Sequence, residues 1–487
     1  MTHAAHKAAA IRPDVRLQPH QENLRDLASR GPLRMLLLHG LGSGKSLSGL
    51  AAAEQLGQPY TAVAPASLRQ NYRGEIKKFT DRSTPADVMS YSEIAQGRPV
   101  PNASSLIFDE AQALRNPNTA QAARAADLAA QAKQVVLLSG TPVVNRPGDL
   151  ATPLRLLTGE NLSPEAFEAR YVKEKNVYPN LLRRLVGWPS GKELAIHNER
   201  ELRGKLKGHV HYYDRGAPVV PVSQEDIHVP MSAEQARIHD IIWDKLPWWV
   251  RARLQNNALL SDEELRRTAA FLSGPRQVGL STLPFLRNKD PLRAFNQSPK
   301  LQAANKNLLE RLKDPRSKAL VFANYIDAGL SPYSAGLSAA GIPHAVFHGG
   351  LNDRLRKQLV DDYNAGRIRV ALLGPSGTEG LSFKGTQLVQ LLDPHWNPVR
   401  PKQSIGRALR YDSHADLPDE LKHVHVQRYF SRLPQGWRGR LLGAVGLGDE
   451  SKTYAADDHL AQIADRKEKL NRKFLDLLRS VGSTRQP

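Results

Sequence analysis

The 487 residues are too many for one hydrophobic core, and the length favours about three domains. Hydrophobic residues make up 40% of the chain and charged residues 24%, which is typical of folded globular proteins and excludes wholesale disorder. Lys and Arg number 68 against 48 Asp and Glu, so the formal net charge is +20. This excess favours a polyanionic partner, nucleic acid rather than a membrane surface.

The absence of Cys and of long apolar runs excludes several kinds of site and of cellular location. Without Cys, disulfides, thiolate metal sites and Cys nucleophiles are excluded. The N-terminal residues lack the apolar core of a signal peptide, and no uninterrupted apolar run of about 18 residues occurs. We therefore expect an intracellular, soluble, cytoplasmic protein with no membrane partner. Its richness in Ala, Arg and Pro suggests a bacterial, viral or phage origin.

Short apolar strands alternate with helical stretches in two separate series. The first series contains strands at 35–38, 61–64, 104–108 and 135–138. The second contains strands at 319–322, 345–347, 370–373, 388–392 and 424–430. Such alternation predicts parallel sheets with helices on both faces, and so an α/β fold with two tandem lobes.

Domain boundaries follow from where these patterns begin and end. The polar, irregular stretch between the two series has helical segments around 231–246 and 261–273, and the last stretch predicts a terminal helix that docks on the second lobe. We expect an N-terminal tail (1–15), a first lobe that binds ATP (16–222) and a helical insertion with the inter-lobe linker (223–298). A second lobe (299–445) and a C-terminal helical segment (446–487) follow.

A Gly-rich turn follows the first strand and precedes a helical stretch, which is the context of a phosphate-binding loop. Backbone N–H groups in such a loop approach phosphates, Lys45 neutralises the β and γ charges, and the Ser46 hydroxyl ligates Mg²⁺. The strict pattern has Gly where this chain has His39, and a chance Gly-rich turn is the alternative. The predicted ATP-binding residues here are Gly40, Leu41, Gly42, Ser43, Gly44, Lys45 and Ser46.

Two carboxylates end the apolar strand SLIF, as expected beside a phosphate loop. Asp109 would hold Mg²⁺ and Glu110 would polarise the attacking water. An Asp-Glu pair after a strand is also typical of a helix N-terminus, which is the alternative interpretation. Together with the phosphate loop, the pair predicts ATP hydrolysis.

These blocks resemble the Swi/Snf-type DNA translocases of helicase superfamily two over residues 16–430. The resemblance implies two tandem RecA-like lobes that hydrolyse ATP between them, with helical insertions and a C-terminal helix. Nine blocks follow one another in family order: LQPHQ (17–21), GLGSGKS (40–46), APASLRQNYRGEIKKF (64–79), DEAQALRNPNT (109–119), SGTPVVN (139–145), VPMSAEQ (229–235), FHGGLNDRLRKQLVDDYN (347–364), GTEGLSF (377–383) and LLDPHWNPVRPKQSIGRALR (391–410).

The resemblance also implies which residues touch the nucleotide and the nucleic acid. Gln21 falls on the position that contacts adenine, with a surface Gln at a helix start as the alternative. The implied nucleic-acid contacts are Pro65, Ala66, Ser67, Ser139, Thr141, His348, Gly349 and Thr378. A helix cap at Ser67, capping of the next turn by the SGTP hydroxyls and a solvated basic turn around His348 are the alternatives.

Gln403, Arg407 and Arg410 lie at offsets of four and three residues and so share one helical face. From the second lobe, the two Arg side chains are predicted to act as arginine fingers on the γ-phosphate. The alternative is an ordinary solvated basic face. We group these three residues with Lys45 and the acidic pair as catalytic.

At three places this sequence departs from the family pattern, and there the contacts known for the family cannot be assigned to this chain. Gln112 stands where the family usually has His, GTEG at 377–380 replaces a run of small residues, and YDSH after Arg410 replaces the usual continuation. The coupling of the DEAQ segment to the other lobe and the contacts of Thr378 are therefore open.

The combined features predict an enzyme that hydrolyses ATP with Mg²⁺ and acts on DNA, most simply double-stranded DNA. A duplex-DNA translocase that remodels DNA or protein–DNA complexes is the favoured function. A strand-separating DNA or RNA helicase and an ATP-switched, DNA-binding scaffold without turnover are the alternatives. No base-reading module is visible, so a protein partner would supply targeting.

Overall fold

The computed structural model describes residues 11–40, 42–81, 84–177, 191–214, 220–245, 247, 273–375, 381, 383–393, 413–434 and 456–482. These residues form two compact units, one within residues 1–216 together with 467–487, and one within 217–466. Each unit is built around its own six-stranded sheet.

The sheet of the first unit is parallel throughout, with strand order β3-β2-β4-β5-β1-β8. Its strands are β1 (Arg34–His39), β2 (Tyr60–Ala64), β3 (Ala86–Ser90), β4 (Ser105–Phe108), β5 (Gln134–Ser139) and β8 (Val210–Tyr213), and a separate antiparallel hairpin pairs β6 (Val172–Val177) with β7 (Gly191–Ile196). The helices of this unit are α1 (Pro19–Ser29), α2 (Lys45–Gln55), α3 (Arg69–Phe79), α4 (Tyr91–Ala95), α5 (Ala120–Gln131), α6 (Ala151–Thr158), α7 (Pro164–Tyr171) and α8 (Glu199–Leu206).

Both faces of this sheet are covered, which explains why its strands are almost continuously apolar. Successive residues of a strand point to opposite faces. Leu36 therefore joins one buried cluster with Phe108, whereas its neighbour Leu37 joins a second with Ile107. The carboxyl ends of these strands carry the phosphate loop and the acidic pair.

The second sheet is also parallel, with strand order β11-β12-β10-β13-β14-β9. Its strands are β9 (Val222–Pro230), β10 (Ala319–Phe322), β11 (His344–Phe347), β12 (Val370–Leu373), β13 (Leu388–Leu391) and β14 (Val424–Arg432). Its helices are α9 (Ala233–Trp243), α10 (273–280), α11 (Pro291–Asn296), α12 (Pro299–Arg311), α13 (Ser331–Ala339) and α14 (Asp353–Asn364). Short 3₁₀ or π turns occur at Ala66–Leu68, Ala111–Leu114, Pro147–Leu150, Leu283–Phe285, Ile326–Leu330 and Asp419–Leu421.

This architecture confirms the predicted α/β fold class, two tandem parallel-sheet lobes of the RecA-like type. The sequence prediction missed five strands, β3, β6, β7, β8 and β9, and placed β9 in a helical insertion. Strand β9 (Val222–Pro230) lies at the edge of the sheet and pairs only with β14. Its residues are therefore largely polar, and its sequence lacks the apolar run that predicts a strand. The predicted helix around 231–246 appears as α9, and the one at 261–273 lies almost entirely outside the described residues.

The last helix, α15 (Ala456–Gly482), corrects in part the prediction that a terminal helix docks on the second lobe, because only its first residues do so, where Asp457 bonds Lys300 and the Ser431 N–H. Its C-terminal half belongs to the core of the first unit, where Phe474 is fully buried and packs against Phe167 with 6.2 Å between ring centroids. The amphipathic spacing of Leu470, Phe474 and Leu477 predicted a buried face but contained no information about which core covers it. None of the helices in the described ranges has the length and apolar character that a membrane span needs.

The substitution Phe474→Ala should therefore destabilise the first unit. Truncating a fully buried Phe costs about 3–5 kcal/mol, because the transfer free energy is lost and a cavity remains. In calorimetry, added ATP should raise the midpoint of the thermal transition that belongs to the first unit. The substitution should lower the midpoint of that same transition. The control is Asp476→Ala, an exposed position on the same helix. Equal midpoints for the two variants would contradict the packing described here.

Candidate nucleotide-binding site

The phosphate loop follows β1 directly and leads into α2. Gly42 and Gly44 both have φ +73°, a left-handed conformation that a side chain would strain. Gly44 caps α2, whose first residue is Lys45, so free N–H groups of the helix start face the space beyond the loop. Within the loop, the Ser43 hydroxyl donates to the Gly40 carbonyl at 2.8 Å. Leu41 lies outside the described residues.

The Lys45 ammonium lies against the end of β5. A Cβ built on Gly140 would stand 2.9 Å from Lys45 Nζ and 3.3 Å from the His39 carbonyl oxygen, so a side chain there would press on the Lys45 ammonium. The charge of Lys45 also acts on Asp109 at the end of β4. The structure thus brings the predicted Lys45, Asp109 and SGTP segment together at one edge of the sheet.

Asp109 is nearly completely buried, and burial is the main reason that its pKa is raised to about 7. The like charge of Glu110 raises the pKa further, whereas Lys45 and the backbone N–H of Glu110, which donates to Asp109 Oδ1 at 3.0 Å, oppose this effect. The Asp109 carbonyl accepts a hydrogen bond from Tyr91 Oη at 2.7 Å, which fixes the backbone at this point.

Mg²⁺ fits these residues chemically. Mg²⁺ prefers oxygen ligands and is usually held by one or two carboxylates together with substrate phosphates, which the Asp109 carboxylate and the Ser46 hydroxyl suit. A divalent cation would also offset the cost of a buried carboxylate beside Glu110. In the described part of the chain, no group of three or more His, Cys, Asp or Glu side chains could hold a metal unaided.

The substitution Asp109→Asn should raise the stability of the nucleotide-free, Mg²⁺-free protein. A carboxyl group whose pKa is raised by folding contributes stability that is present below the unfolded pKa and is lost as pH rises through the folded value. The melting temperature should therefore increase more at pH 8 than at pH 5, while Mg²⁺-dependent turnover is lost. Asp26→Asn, at an exposed position of α1, is the control. An equal shift at both pH values, or none, would contradict this electrostatic account.

Glu110, the predicted water-polarising residue, has φ 51° and ψ 50°, an unusual backbone conformation for a residue with a side chain. Gln112 donates a short hydrogen bond to the Glu110 carboxylate. The Gln112 amide oxygen in turn accepts from the Ser139 hydroxyl at 2.7 Å, and Ser139 Oγ accepts from the Thr141 backbone N–H at 3.1 Å. Gln112, where the family usually has His, thus joins the acidic strand to the SGTP segment.

These contacts bear on the SGTP prediction. The capping alternative holds for Ser139, whose Oγ accepts from the Thr141 N–H, and the same hydroxyl also bonds Gln112. The Ser139 side chain is buried. Direct contact of Ser139 and Thr141 with nucleic acid stays a prediction.

Gln21 is buried rather than exposed at a helix start, so the surface alternative is wrong. Its amide oxygen accepts from the Gln18 backbone N–H at 2.9 Å, and its Nε2 donates to the Gly44 carbonyl at 3.3 Å. Gln21 therefore contacts the phosphate loop itself. An adenine contact would use the same amide and stays a prediction.

The predicted backbone-binding loops are placed as follows. Pro65 precedes the 3₁₀ turn Ala66–Leu68, in which Ser67 is exposed. The N-cap of this turn is Pro65 and that of α3 is Leu68, so the helix-cap alternative for Ser67 is wrong. In the second unit, His348 and Gly349 follow β11, where His348 Nδ1 accepts from the Gly350 N–H at 3.1 Å.

Asp393, at the end of β13, has buried partners that sequence reasoning missed. Its carboxylate accepts from Arg276 Nη2 at 3.0 Å and from the backbone N–H and Nδ2 of Asn324 at 2.9 and 2.8 Å. Burial raises the pKa of Asp393, and Arg276 opposes the rise. These bonds anchor the strand end that precedes the predicted fingers. Thr378, Gln403, Arg407 and Arg410 lie outside the described residues.

Comparison with known proteins finds a matching domain family and similar viral proteins. Residues 300–412 match the helicase conserved C-terminal domain. A protein of Acanthamoeba polyphaga mimivirus named as an ATP-dependent RNA helicase is 23% identical, over 90% of this chain and 92% of its own. A termination factor NPH-I homolog of African swine fever virus (isolate Tick/Malawi/Lil 20-1/1983) is also 23% identical, over 92% of this chain and 76% of its own.

One shorter match and one solved structure add to these. Nucleoside triphosphatase I of Amsacta moorei entomopoxvirus is 41% identical over 63 residues, 13% of this chain and 10% of its own. The solved structure of the Sulfolobus solfataricus SWI2/SNF2 ATPase core in complex with dsDNA covers 98% of both chains at 15% identity, with a TM-score of 0.36.

Proposed function

We propose that this chain, whose residues 300–412 match the helicase conserved C-terminal domain, is a helicase-like protein of superfamily two, of the Swi/Snf type, that moves along duplex DNA by hydrolysing ATP. As such a protein it is an ATP-dependent nucleic-acid motor. Lys45, Ser46 and Asp109 would hold Mg²⁺ and ATP, Glu110 would polarise the attacking water, and the Arg pair near residue 407 would stabilise the transition state.

The observation that carries the proposal is the meeting of three predicted elements at one sheet edge. Lys45 lies against Gly140, its charge acts on Asp109, and Gln112 connects Glu110 to Ser139. Hydrogen bonds therefore run from the residue proposed to activate water to the segment proposed to sense nucleic acid. Such a connection supports a motor in which turnover and grip are linked.

Duplex DNA is favoured as the track for two reasons. The +20 net charge suits a phosphate backbone that is gripped without regard to sequence. The DPHWNP segment at 393–398 resembles that of duplex translocases, although only Asp393 of it is described. The role would be to remodel DNA or protein–DNA complexes, with a protein partner for targeting.

The test is the steady-state ATPase rate with duplex DNA, single-stranded DNA and RNA in turn. All three should be compared at one low salt concentration, because counterion release changes affinity steeply with salt. Duplex DNA should stimulate turnover most. Stimulation by RNA or single strands alone would overturn the duplex proposal and leave the ATPase proposal standing.

Strand separation is a second candidate, favoured by the mimivirus relative named as an RNA helicase. A forked duplex, of DNA and of RNA, distinguishes it from translocation. We expect the fork to remain paired, because translocation by itself supplies no wedge. A scaffold that binds ATP without turnover would show no stimulated hydrolysis on any nucleic acid.

A further inference from the structure

A chain of buried polar side chains lies behind the phosphate loop. His39 Nε2 stands 2.9 Å from His211 Nδ1, and His211 Nε2 stands 3.2 Å from Asn23 Oδ1. At the other end, His39 Nδ1 lies 3.3 Å from Ser48 Oγ. Ser48 Oγ is also 3.2 Å from the Gly44 carbonyl oxygen. The chain thus connects α1 and β8 to the loop and to the first turn of α2.

With Asn23 Oδ1 facing His211 and both rings neutral, the hydrogen bonds through the two imidazoles run in one direction. The Asn23 amide oxygen accepts, so His211 Nε2 must carry a proton. A neutral imidazole has one donor and one acceptor, so His211 Nδ1 accepts and His39 Nε2 donates. His39 Nδ1 is then an acceptor, and the single Ser48 hydroxyl proton is shared between it, at 3.3 Å, and the Gly44 carbonyl oxygen, at 3.2 Å. Each ring therefore has a single usable tautomer.

Both rings are held neutral by their surroundings. Burial is the main cause that lowers the pKa of His39 to about 2 and that of His211 to about 4. His20 of α1 and Lys45 of α2 face His39 and lower its pKa further. Tyr213 of β8 also faces it, with 6.0 Å between ring centroids, and stacks on His20 at 3.5 Å.

The position of His39 is the unexpected feature. The strict phosphate-loop pattern has glycine there, yet this imidazole is completely buried and its backbone carbonyl lies close to Gly140. A second link supports the same loop, because His20 Nε2 lies 3.0 Å from the Ser43 carbonyl oxygen and the Gly40 N–H donates to the Tyr213 carbonyl at 2.9 Å. The His20 side chain of α1 and the backbone of β8 therefore both bond directly to the loop.

We infer that His39 and His211 are positioning residues for ATP binding, which hold the phosphate loop in its binding conformation through this one-directional hydrogen-bond chain. The inference rests on the proposed function of the loop. The bond from His39 Nε2 to His211 Nδ1 is the critical one, because without an acceptor at Nδ1 a buried N–H is left unsatisfied and the ring turns away from Ser48.

Two substitutions of His211 separate this bond from simple packing. Asn has its amide oxygen near the position of imidazole Nδ1, so His211→Asn keeps the acceptor for His39. Gln reaches the position of Nε2, so His211→Gln keeps the link to Asn23 and removes that acceptor. Both variants lose the ring and its packing, which makes them a matched pair, and His197→Gln at an exposed position is the control.

The experiment measures the Kd of a fluorescent ATP analogue, KM for ATP, kcat and the melting temperature of each variant of the full chain. His211→Gln should weaken ATP binding and raise KM roughly tenfold with little change in kcat, whereas His211→Asn should stay within about threefold of the unaltered chain. Equal ATP affinity in the two variants, with normal turnover in the unaltered chain, would overturn the inference alone. Absence of ATP turnover in the unaltered chain would overturn the proposed function as well.

Discussion

Replacing Glu110 by Gln is expected to slow ATP hydrolysis by about 10²–10⁴-fold while ATP still binds. The Glu110 carboxylate is proposed to take the proton of the attacking water, and an amide cannot do so. In the present structure this carboxylate accepts a hydrogen bond from Gln112, which would hold it in place for that role. A single-turnover assay with excess enzyme, beside a direct measurement of ATP affinity, separates the chemical step from binding.

Lys45→Ala supplies the contrasting control for Glu110→Gln. Loss of the ammonium beside Gly140 should weaken nucleotide binding itself, because no other charge then neutralises the β and γ phosphates from the loop. Turnover near the unaltered rate in the Glu110→Gln variant would remove this residue from the water-activating role. Weakened binding in both variants would assign Glu110 to nucleotide binding instead.

The substitution Arg407→Ala should reduce the turnover rate by about 10³-fold or more, with a modest change in nucleotide affinity. A guanidinium that stabilises charge developing on the γ-phosphate contributes to the transition state rather than to ground-state binding. The measurement is kcat at saturating duplex DNA, beside the Kd for ATP and for DNA.

Arg367→Ala is a suitable control for Arg407→Ala, because Arg367 is an exposed residue of the same unit that pairs with Asp362. The control should change neither kcat nor ATP affinity. If Arg407→Ala altered DNA affinity and left kcat intact, Arg407 would be a contact of the nucleic-acid backbone, and the finger assignment would be wrong.

Much of the fold could be predicted because its central strands have a recognisable sequence pattern. The strands around Leu36, Ile107 and Val136 are buried on both faces of a parallel sheet, so each is a short apolar run between turn residues. Edge strands lack that signature. Val210–Tyr213 and Val222–Pro230 mix polar and apolar residues, and both were missed.

Some residues of the candidate site could likewise be predicted from local sequence patterns, and others could not. Lys45 and Asp109 stand in local patterns whose spacing encodes their role, so the sequence predicted them as neighbours. The partners of His39 and Asp393 come from distant parts of the chain, since His211 is 172 positions from His39 and Arg276 is 117 from Asp393. No local pattern reports such pairs. The docking of Phe474 in the first unit was not predicted for the same reason. The pattern of an amphipathic helix indicates which face is buried but not which part of the protein covers it.

Displacement of the third strand from a DNA triplex, followed with and without ATP, tests the central claim most directly. A motor that moves along intact duplex should remove the third strand in the presence of Mg²⁺ and ATP, and should fail to do so when Glu110→Gln blocks hydrolysis. We expect ATP-dependent displacement with the underlying duplex left paired. Efficient separation of a forked duplex without triplex displacement would contradict it.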